Sequence, residues 1–148
     1  MMNLTIEKMT SAHIEELARL ERECFSSPWS EDGLKSELDN NFARFYVAFL
    51  NGKIAGYIGS HNVLGEVYIT NVAVFSEFRR NGVGKALVEY LVEEMKAEKS
   101  DFVTLEVRES NVNAISLYEK CGFEKVGKRK DFYEKPREDG ILMTYYIK

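Results

Sequence analysis

The sequence predicts a mixed α/β (α+β) fold, in which a central mixed sheet of about six to seven strands carries helices on both faces. Three observations lead to this expectation. Segments with the two-residue alternation of strands recur along the chain, segments with helical spacing separate them, and Asn51-Gly52 between two β-rich runs marks a hairpin. Because strands and helices are interspersed in this way, a sheet covered by helices is the expected architecture.

Length and composition indicate a single globular domain, residues 1–148. Hydrophobic residues make up 45% of the chain and charged residues 30%, which is ordinary globular usage. The net charge of −4 argues against a nucleic-acid partner and favours a basic one. We read no signal peptide and no apolar run of bilayer length, and the cysteines, Cys24 and Cys121, form no CxxC pair. These features predict a cytoplasmic protein with no membrane partner.

The first forty residues predict a strand followed by two helices. Leu4 and Ile6 alternate with polar neighbours as a short strand. A helix is expected from about Ser11, because apolar residues then recur along one side at helical spacing, with the acidic residues on the other side. Pro28 disfavours helical geometry just before it, so the helix should end there. Ser30 is the expected N-cap of a second, short helix.

The rest of the chain predicts further strands and two more helices. The hairpin strands are residues 45–49 and 54–58, and a third antiparallel strand covers 67–74, with its odd-numbered and even-numbered residues on opposite faces. Helical spacing begins after the next polar turn. The remaining segments are a strand over 101–107, a helix over 111–120, a strand restarting at 122–123, a loop-like polar run over 127–140 and a closing strand over 141–147.

The turn after strand 67–74 is rich in glycine and positive charge. Its sequence is Arg79-Arg80-Asn81-Gly82-Val83-Gly84-Lys85. Two glycines at the start of a helix let the backbone approach a ligand closely, since no Cβ intervenes. The first N–H groups of a helix lack internal partners and lie at the positive end of the peptide dipoles, which suits a phosphate. The turn is therefore predicted to hold a diphosphate, and a turn that only caps the helix is the alternative.

Spacing excludes two familiar phosphate-binding motifs. Ala86 stands where a Walker loop needs Ser or Thr, and Leu87 stands where a dinucleotide fingerprint needs its third glycine. The remaining pattern, Arg-x-x-Gly-x-Gly after a strand that ends Asn-Val-Ala-Val, resembles the acyl-CoA loop of the GNAT superfamily of N-acetyltransferases. The order of strands and helices on either side of this loop resembles that superfamily as well.

Two further motifs narrow the resemblance. Residues 105–123, Leu-Glu-Val-Arg-x-Ser-Asn-x-x-Ala-x-x-Leu-Tyr-Glu-Lys-x-Gly-Phe, and residues 24–30, Cys-Phe-x-x-Pro-Trp-Ser, resemble the RimI-type branch of the superfamily. The resemblance implies a GNAT fold, acetyl-CoA as co-substrate, no metal, and direct acetyl transfer in a ternary complex. It also implies that the acceptor is the N-terminal amine of a ribosomal protein. The net negative charge favours a basic protein or peptide, and aromatic groove walls at Trp29 and Tyr133 would favour alanine or serine as its first residue.

Glu106 is the candidate general base. It alternates with Leu105 and Val107, so it faces a cleft if those two residues face the core. A carboxylate there could accept a proton from an amine directly or through water, and the resemblance implies this role. A glutamate on the solvent face of a strand is the alternative.

Tyr118 is the candidate general acid, since a phenol can protonate a departing thiolate and the resemblance places the family's acid here. A core tyrosine on a buried helix face is the alternative. Asn111 can cap the helix or hydrogen-bond the pantetheine arm. The predicted cofactor-binding residues are Val72, Ala73, Val74, Arg79, Arg80, Asn81, Gly82, Val83, Gly84, Lys85, Asn111 and Tyr118. Among them, Val72 and Val74 would use the backbone groups of a free strand edge.

Two aromatic residues are candidates for the acceptor groove. Trp29 precedes the cap and pairs with Leu34 as a hydrophobic staple, so a structural role is favoured, although it could also line a groove. Tyr133, in the expected loop, could grip a peptide. Two other functions remain open at this point. One is acetylation of lysine side chains or of a small amine, and the other is a non-catalytic acyl-CoA-binding module, which would normally lack the base or the acid.

Overall fold

The computed structural model describes residues 3–148. Its strands are β1 (Leu4–Lys8), β2 (Tyr46–Leu50), β3 (Lys53–Val63), β4 (Glu66–Val74), β5 (Phe102–Arg108), β6 (Glu124–Glu134) and β7 (Arg137–Tyr146). Its helices are α1 (Ile14–Cys24), α2 (Glu31–Leu38), α3 (Val83–Ala97) and α4 (Val112–Lys120), with 3-10 turns at Ser11–His13 and Ser76–Phe78. None of the helices within residues 3–148 has both the length and the hydropathy needed to cross a bilayer.

The strands of residues 3–148 form one sheet in the order β1-β2-β3-β4-β5-β7-β6. Neighbouring strands are antiparallel, except that β4 and β5 run parallel and are connected through α3. A parallel pair needs a crossover of this kind because its strands start at the same end of the sheet. The predicted mixed sheet and the predicted order of strands and helices are confirmed.

Helices cover both faces of the sheet and form two cores. The larger core lies under α3 and α4 and includes Leu87 and Leu91. The smaller core lies under α1 and α2 and includes Leu17. Along β2, Tyr46 belongs to the larger core and Val47 to the smaller one, because successive side chains of a strand point to opposite faces.

β4 contains a β-bulge. In its pairing with β3, Asn71 lies opposite Gly59 and Ile69 lies opposite Ser60, which leaves Thr70 as an extra residue on β4. The extra residue interrupts the pairing beside the point where β4 leaves β5.

The bulge at Thr70 reverses the faces of the residues that follow it. Ile69 before the bulge and Val72 and Val74 after it pack against the larger core, whereas Ala73 is buried in the smaller core. The prediction that odd-numbered and even-numbered residues keep opposite faces throughout 67–74 was therefore wrong beyond Thr70. One inserted residue moves every later side chain of a strand to the opposite face, because side chains alternate with a period of two.

The loop predicted over residues 127–140 was also wrong, because β6 and β7 run through it as a hairpin. β6 is an edge strand, and all of its residues are exposed except the half-buried Tyr133. An edge strand without a buried face lacks the apolar alternation by which strands are recognised in sequences. Tyr133 therefore lies on a strand and not in a loop.

A fully buried carboxylate holds four segments of the fold together. Glu21 of α1 accepts hydrogen bonds from the Trp29 backbone N–H at 2.9 Å, the Tyr57 hydroxyl at 2.6 Å and the Asn71 side-chain amide at 3.0 Å. Burial, with a further contribution from the hydrogen bond to Glu21, raises the pKa of the Tyr57 phenol. The segment before α2, together with β3 and β4, is thereby fixed to α1.

Replacing Glu21 with alanine is expected to lower the free energy of unfolding by about 3–5 kcal/mol, because three donors lose their acceptor inside the protein. Urea denaturation followed by circular dichroism measures the change. Glu16→Ala is the matched control, since it removes a half-exposed carboxylate of the same helix that pairs with Arg19, and it should change stability little. Equal losses in the two variants would contradict this account of Glu21.

Candidate active site

The candidate active site is a cleft that opens where β4 and β5 part. The two strands pair only over residues 66–68 and 102–104. Beyond those residues β4 stays paired with β3, and β5 stays paired with β7. A cleft of about 1380 Å³ fills the gap and extends to the start of α3, the segment before α2 and the β6–β7 hairpin. It is lined by all of the predicted site residues except Asn81.

The glycines of the turn before α3 leave open space along the cleft wall. Gly82 is the N-cap of α3 and has a left-handed φ of 76°, which favours glycine. A Cβ atom at Gly82 would find no neighbouring atom within 4 Å. One at Gly84 would meet only Leu117 and Val74, at 3.8 and 3.9 Å. The unpaired N–H groups of the first helical turn therefore lie beside a wall that a ligand can approach.

Three basic side chains surround the same turn. The Arg79 Nε donates to the Val74 carbonyl at 3.2 Å, which holds the guanidinium near the end of β4. The Lys85 Nζ lies 4.0 Å from a carboxylate oxygen of Glu89, one helical turn further on. Arg80 is exposed. Positive charge thus collects at the N-terminus of α3, where the helix dipole adds to it.

The side chain of Asn81 is directed into the turn itself. Its amide donates to the carbonyl oxygens of Phe78 at 3.0 Å and Arg79 at 3.2 Å. These bonds fasten the turn that leads into α3, and Asn81 itself does not line the cleft.

The backbone of β4 presents an edge to the cleft. The Val74 carbonyl accepts hydrogen bonds from Arg79 and from the Cys24 thiol, the latter at 3.6 Å, so it points away from β3. The N–H and C=O groups of one residue in an extended strand lie on the same edge, and successive residues alternate between edges. Val72 and Val74 therefore offer backbone groups to the cleft, whereas the backbone groups of Ala73 face β3.

Glu106 lies on the face of β5 opposite Leu105 and Val107, as the alternation predicts, and its side chain is 3% exposed. Its Oε1 accepts a hydrogen bond from the Tyr68 hydroxyl at 2.7 Å. Its Oε2 is buried, has no hydrogen-bond partner among residues 3–148 and lies 3.4 Å from the Nε of Arg129. Within the described residues, this carboxylate oxygen of the cleft therefore makes no hydrogen bond, and its close neighbour is the exposed Arg129 guanidinium.

Tyr118 approaches the cleft from the other face of the sheet. It belongs to the larger core, together with Leu105 and Val107, and its ring packs against Phe123 with centroids 5.9 Å apart. Burial raises the pKa of Tyr118 to about 12, because the phenolate would be poorly solvated there. The phenol is therefore protonated at neutral pH and can donate a proton. Tyr118 and Glu106 thus lie on opposite faces of β5 and line one cleft.

Asn111 is the N-cap of α4. Its Oδ1 accepts a hydrogen bond from the backbone N–H of Ala114 at 3.2 Å. The cap occupies the side-chain carbonyl and leaves the amide N–H donors for a ligand, so capping and a contact to a ligand are compatible.

Trp29 lies on the wall of the cleft beside α1. Its ring contacts Phe45, with centroids 5.9 Å apart, and packs against the smaller core that contains Leu34. This packing agrees with the expected staple, and the same ring also lines the cleft. Trp29 therefore packs against the smaller core with one part of its ring and lines the cleft with another, and its contact with an acceptor stays a prediction.

Tyr133 lies on the opposite wall and is held there by Arg108. The Arg108 guanidinium lies 4.4 Å from the centre of the Tyr133 ring. Its Nη1 and Nη2 donate to the carbonyl oxygens of Pro136 at 2.8 Å and Lys135 at 3.1 Å, and it pairs with Glu138 at 3.3 Å. The end of the β6–β7 hairpin is thus fastened to β5.

Sequence reasoning did not single out Tyr68 or Arg108. Arg108 lies two residues after Glu106 on the same face of β5, so the strand alternation already contained a signal for it. The contact between Tyr68 and Glu106 could be predicted only if the pairing of β4 with β5 were known, because the two residues lie on different strands. Within residues 3–148, no group of three or more His, Cys, Asp or Glu side chains is arranged to hold a metal ion.

Comparisons with known proteins agree with this geometry. The model of the acetyltransferase (GNAT) family matches residues 14–123. The chain is 33% identical over 145 residues to the ribosomal protein bS18-alanine N-acetyltransferase of Escherichia coli, with 97% of each chain covered. It is 32% identical over 145 residues to the enzyme of the same name from Haemophilus influenzae, with 96% of this chain and 98% of the relative covered.

A solved structure extends the comparison to the fold. The crystal structure of the bS18-alanine N-acetyltransferase from Escherichia coli matches with a TM-score of 0.90 and 32% sequence identity, covering 98% of this chain and 94% of that one. The family match spans most of the chain, including the turn before α3, all of β5 and all of α4. The chain therefore belongs to the GNAT family of acetyltransferases.

Proposed function

We propose that this enzyme transfers the acetyl group of acetyl-CoA to the α-amine of a ribosomal protein that begins with alanine or serine. The observation that carries the proposal is the buried Oε2 of Glu106, which has no hydrogen-bond partner among residues 3–148 and belongs to the same cleft as Tyr118. The relatives named as bS18-alanine N-acetyltransferases support this choice of acceptor. We also propose that residues 1–148 act as one domain in the cytoplasm.

The cleft fits the phosphate end of acetyl-CoA, the acetyl donor of this family. The N–H groups of the first turn of α3 would bind the diphosphate, with Arg79, Arg80 and Lys85 neutralising its charge. The space beside Gly82 and Gly84 admits phosphate oxygens close to the backbone. This end of the cleft therefore combines the fixed dipoles of the helix with three positively charged side chains.

The middle of the cleft fits the peptide-like pantetheine arm. Val72 presents its backbone N–H and C=O groups along a strand edge, which can pair with amide groups as another strand would. Val74 presents its N–H on the same edge, while its carbonyl is already bonded to Arg79 and Cys24. The Asn111 amide is a further donor from the start of α4. When bound, acetyl-CoA supplies an acetyl thioester, and an N–H group of Val72 or Val74 would polarise its carbonyl oxygen.

Glu106 and Tyr118 would divide the proton transfers. The Oε2 of Glu106 accepts the proton that the acceptor amine loses, directly or through one water molecule. The Tyr118 hydroxyl gives its proton to the sulfur that leaves. Its pKa of about 12 keeps this hydroxyl protonated until it is needed. One carboxylate and one phenol thus suffice for both proton steps.

The cysteines support direct transfer without an acetylated enzyme. Burial raises the pKa of the Cys24 thiol, and the opposing effect of the nearby Arg79 is smaller. Burial also raises the pKa of the Cys121 thiol. Both are therefore thiols at neutral pH, whereas a cysteine nucleophile reacts as the thiolate. The amine would then attack the acetyl group within a ternary complex.

The walls of the cleft suit a chain terminus with a small first side chain. Trp29 and Tyr133 line the two sides, and Arg108 fixes the second of them. Bulky first residues would meet rigid rings, while alanine or serine would not. The net charge of −4 favours a basic peptide over an acidic one.

Gly84→Ala is expected to weaken acetyl-CoA binding about 10-fold, because an overpacked contact costs about 1–3 kcal/mol. Isothermal titration calorimetry measures the Kd. The matched control is Gly127→Ala on β6, where a Cβ would also find its nearest neighbours, both on Leu142, at 3.8 and 3.9 Å, but outside the cleft. An unchanged Kd in Gly84→Ala would remove the diphosphate site from this turn.

Substitutions at Glu106 and Tyr118 are expected to separate base from acid. Each should lower kcat about 10²–10⁴-fold at pH 7, and steady-state assays from pH 6 to 10 distinguish them. Glu106→Gln should recover partly as pH rises, because an α-amine with a reference pKa near 8 is then already deprotonated. Tyr118→Phe should show no such recovery. In the wild type, loss of the Tyr118 proton should not reduce kcat below about pH 10, since its pKa is raised.

Two conservative variants are the controls for this comparison. Glu109→Gln changes an exposed carboxylate that pairs with Lys128, and Tyr146→Phe changes an exposed phenol at the end of β7. Both should keep the wild-type rate. Near-normal rates for Glu106→Gln and Tyr118→Phe across the whole pH range would overturn their assignment.

A peptide that begins with alanine and is rich in Arg and Lys should be acetylated at its α-amine. At neutral pH the α-amine is unprotonated far more often than a lysine amine, whose reference pKa is near 10.4. A single carboxylate can therefore deprotonate the α-amine more readily than a lysine. Mass spectrometry of the product locates the acetyl group. The control is the same peptide with a blocked N-terminus. If the blocked peptide reacts as fast as the free one, lysine or small-amine acetylation replaces the N-terminal function.

A further inference from the structure

Tyr68 of β4 lies beside Glu106 at the point where the two parallel strands separate. Tyr68 is opposite Thr104 in the last pair of the β4–β5 ladder, and Glu106 follows two residues later on β5. Both alternate with residues of the larger core, so both side chains project from the other face of the sheet. This placement lets the Tyr68 hydroxyl donate to the Glu106 carboxylate at 2.7 Å.

The hydrogen bond makes the two oxygens of Glu106 unequal. Oε1 accepts from Tyr68, while Oε2 is buried and has no hydrogen-bond partner among residues 3–148. A carboxylate with both oxygens free can rotate, whereas one anchored oxygen fixes the direction of the other. Burial and the nearby negative charge raise the pKa of Tyr68, so its hydroxyl stays a donor at all pH values of interest.

Thr70 supplies a second buried polar atom without a partner. Within the described part of the chain, its Oγ1 and the Oε2 of Glu106 are the buried side-chain polar atoms that lack a hydrogen bond. Both residues line the same cleft. Thr70 is the bulge residue of β4, two positions beyond Tyr68, as Glu106 is two positions beyond Thr104 on β5. The two atoms without hydrogen bonds thus belong to residues at equivalent distances beyond the last β4–β5 pair, one on each strand.

The Arg129 guanidinium beside Glu106 indicates which class of ligand the two unbonded oxygens, Oε2 of Glu106 and Oγ1 of Thr70, attract. The Nε of Arg129 lies 3.4 Å from Oε2 without satisfying it, and the Arg129 side chain is 60% exposed. A long exposed side chain of this kind can move away at little cost. The site therefore favours a positively charged group with several N–H donors, which is the chemistry of a primary ammonium.

We propose that Tyr68 and Thr70 are positioning residues for the acceptor amine: Tyr68 anchors Oε1 so that Oε2 points at the amine, and Thr70 provides a second acceptor for it. This inference rests on the proposed function, because it needs Glu106 to be the base. The amine binds as an ammonium through Oε2 and the Thr70 hydroxyl. One N–H bond of the ammonium breaks and its proton passes to Oε2. The freed electron pair forms the new N–C bond as the C–S bond breaks, and Tyr118 gives its proton to the departing sulfur. A second proton then leaves the acetylated nitrogen and restores the Tyr118 phenol, so the product is a neutral amide.

Steady-state kinetics of Tyr68→Phe and Thr70→Val, with acetyl-CoA and a basic peptide beginning with alanine, test the inference. Tyr68→Phe should lower kcat about 10- to 100-fold, the size expected for a hydrogen bond to a charged group, and leave the KM of acetyl-CoA unchanged. Thr70→Val keeps the shape of the side chain and should raise the KM of the peptide about 5-fold. Tyr146→Phe and Thr5→Val, which change exposed strand residues of the same types, should behave as wild type.

A double-mutant cycle separates positioning from a general structural effect. In a Glu106→Gln background, Tyr68→Phe should change kcat less than about 2-fold, because residues that act as a unit are not additive. Two results would overturn the inference while leaving the proposed function intact. One is a wild-type kcat in Tyr68→Phe, and the other is a Tyr68→Phe/Glu106→Gln double variant whose loss of kcat equals the product of the two single losses. A wild type that acetylates neither the peptide, nor the blocked peptide, nor a polyamine would overturn the proposed function and the inference together.

Discussion

The separation of β4 from β5 is the constraint on which the rest of the site depends. The strands share only three pairs of residues, after which each keeps its other neighbour. Glu106 and Tyr118 lie on opposite faces of β5, so an intact sheet would place a layer of backbone between them. The gap joins the two faces, and a substrate held in it can meet the carboxylate from one side and the phenol from the other.

Opening a sheet leaves backbone groups without strand partners, and this chain compensates for part of that loss. The Val74 carbonyl, on the opened edge of β4, accepts from the Arg79 guanidinium and the Cys24 thiol. The bulge at Thr70 contributes in a second way, since an extra residue disrupts pairing and increases the local twist. It also directs the side chains of residues 72 and 74 into the larger core, so the strand remains anchored while its edge is open.

The sequence predicted what depends on local pattern. Alternation placed Glu106 away from the core, capping chemistry accounted for Asn111, and the order of strands and helices followed from periodicity. The bulge at Thr70 was not predictable, because one extra residue leaves no mark on the composition of a strand. The burial of Glu21 depends on donors from three distant segments, and the strand character of residues 127–140 depends on pairing with β7 rather than on an apolar face.

The cleft wall that carries Tyr133 is attached to the strand that carries Glu106. β6 is an exposed edge strand with β7 as its neighbour in the sheet, so its own packing fixes it weakly. Arg108 supplies the missing restraint through the Tyr133 ring, two hairpin carbonyls and Glu138, whose other oxygen accepts from the Ser110 N–H at 2.6 Å. Arg108 and the proposed base, Glu106, are two residues apart on one face of β5. Any shift of β5 that moved Glu106 would therefore move the wall as well, which would keep an acceptor amine and the proposed base in register.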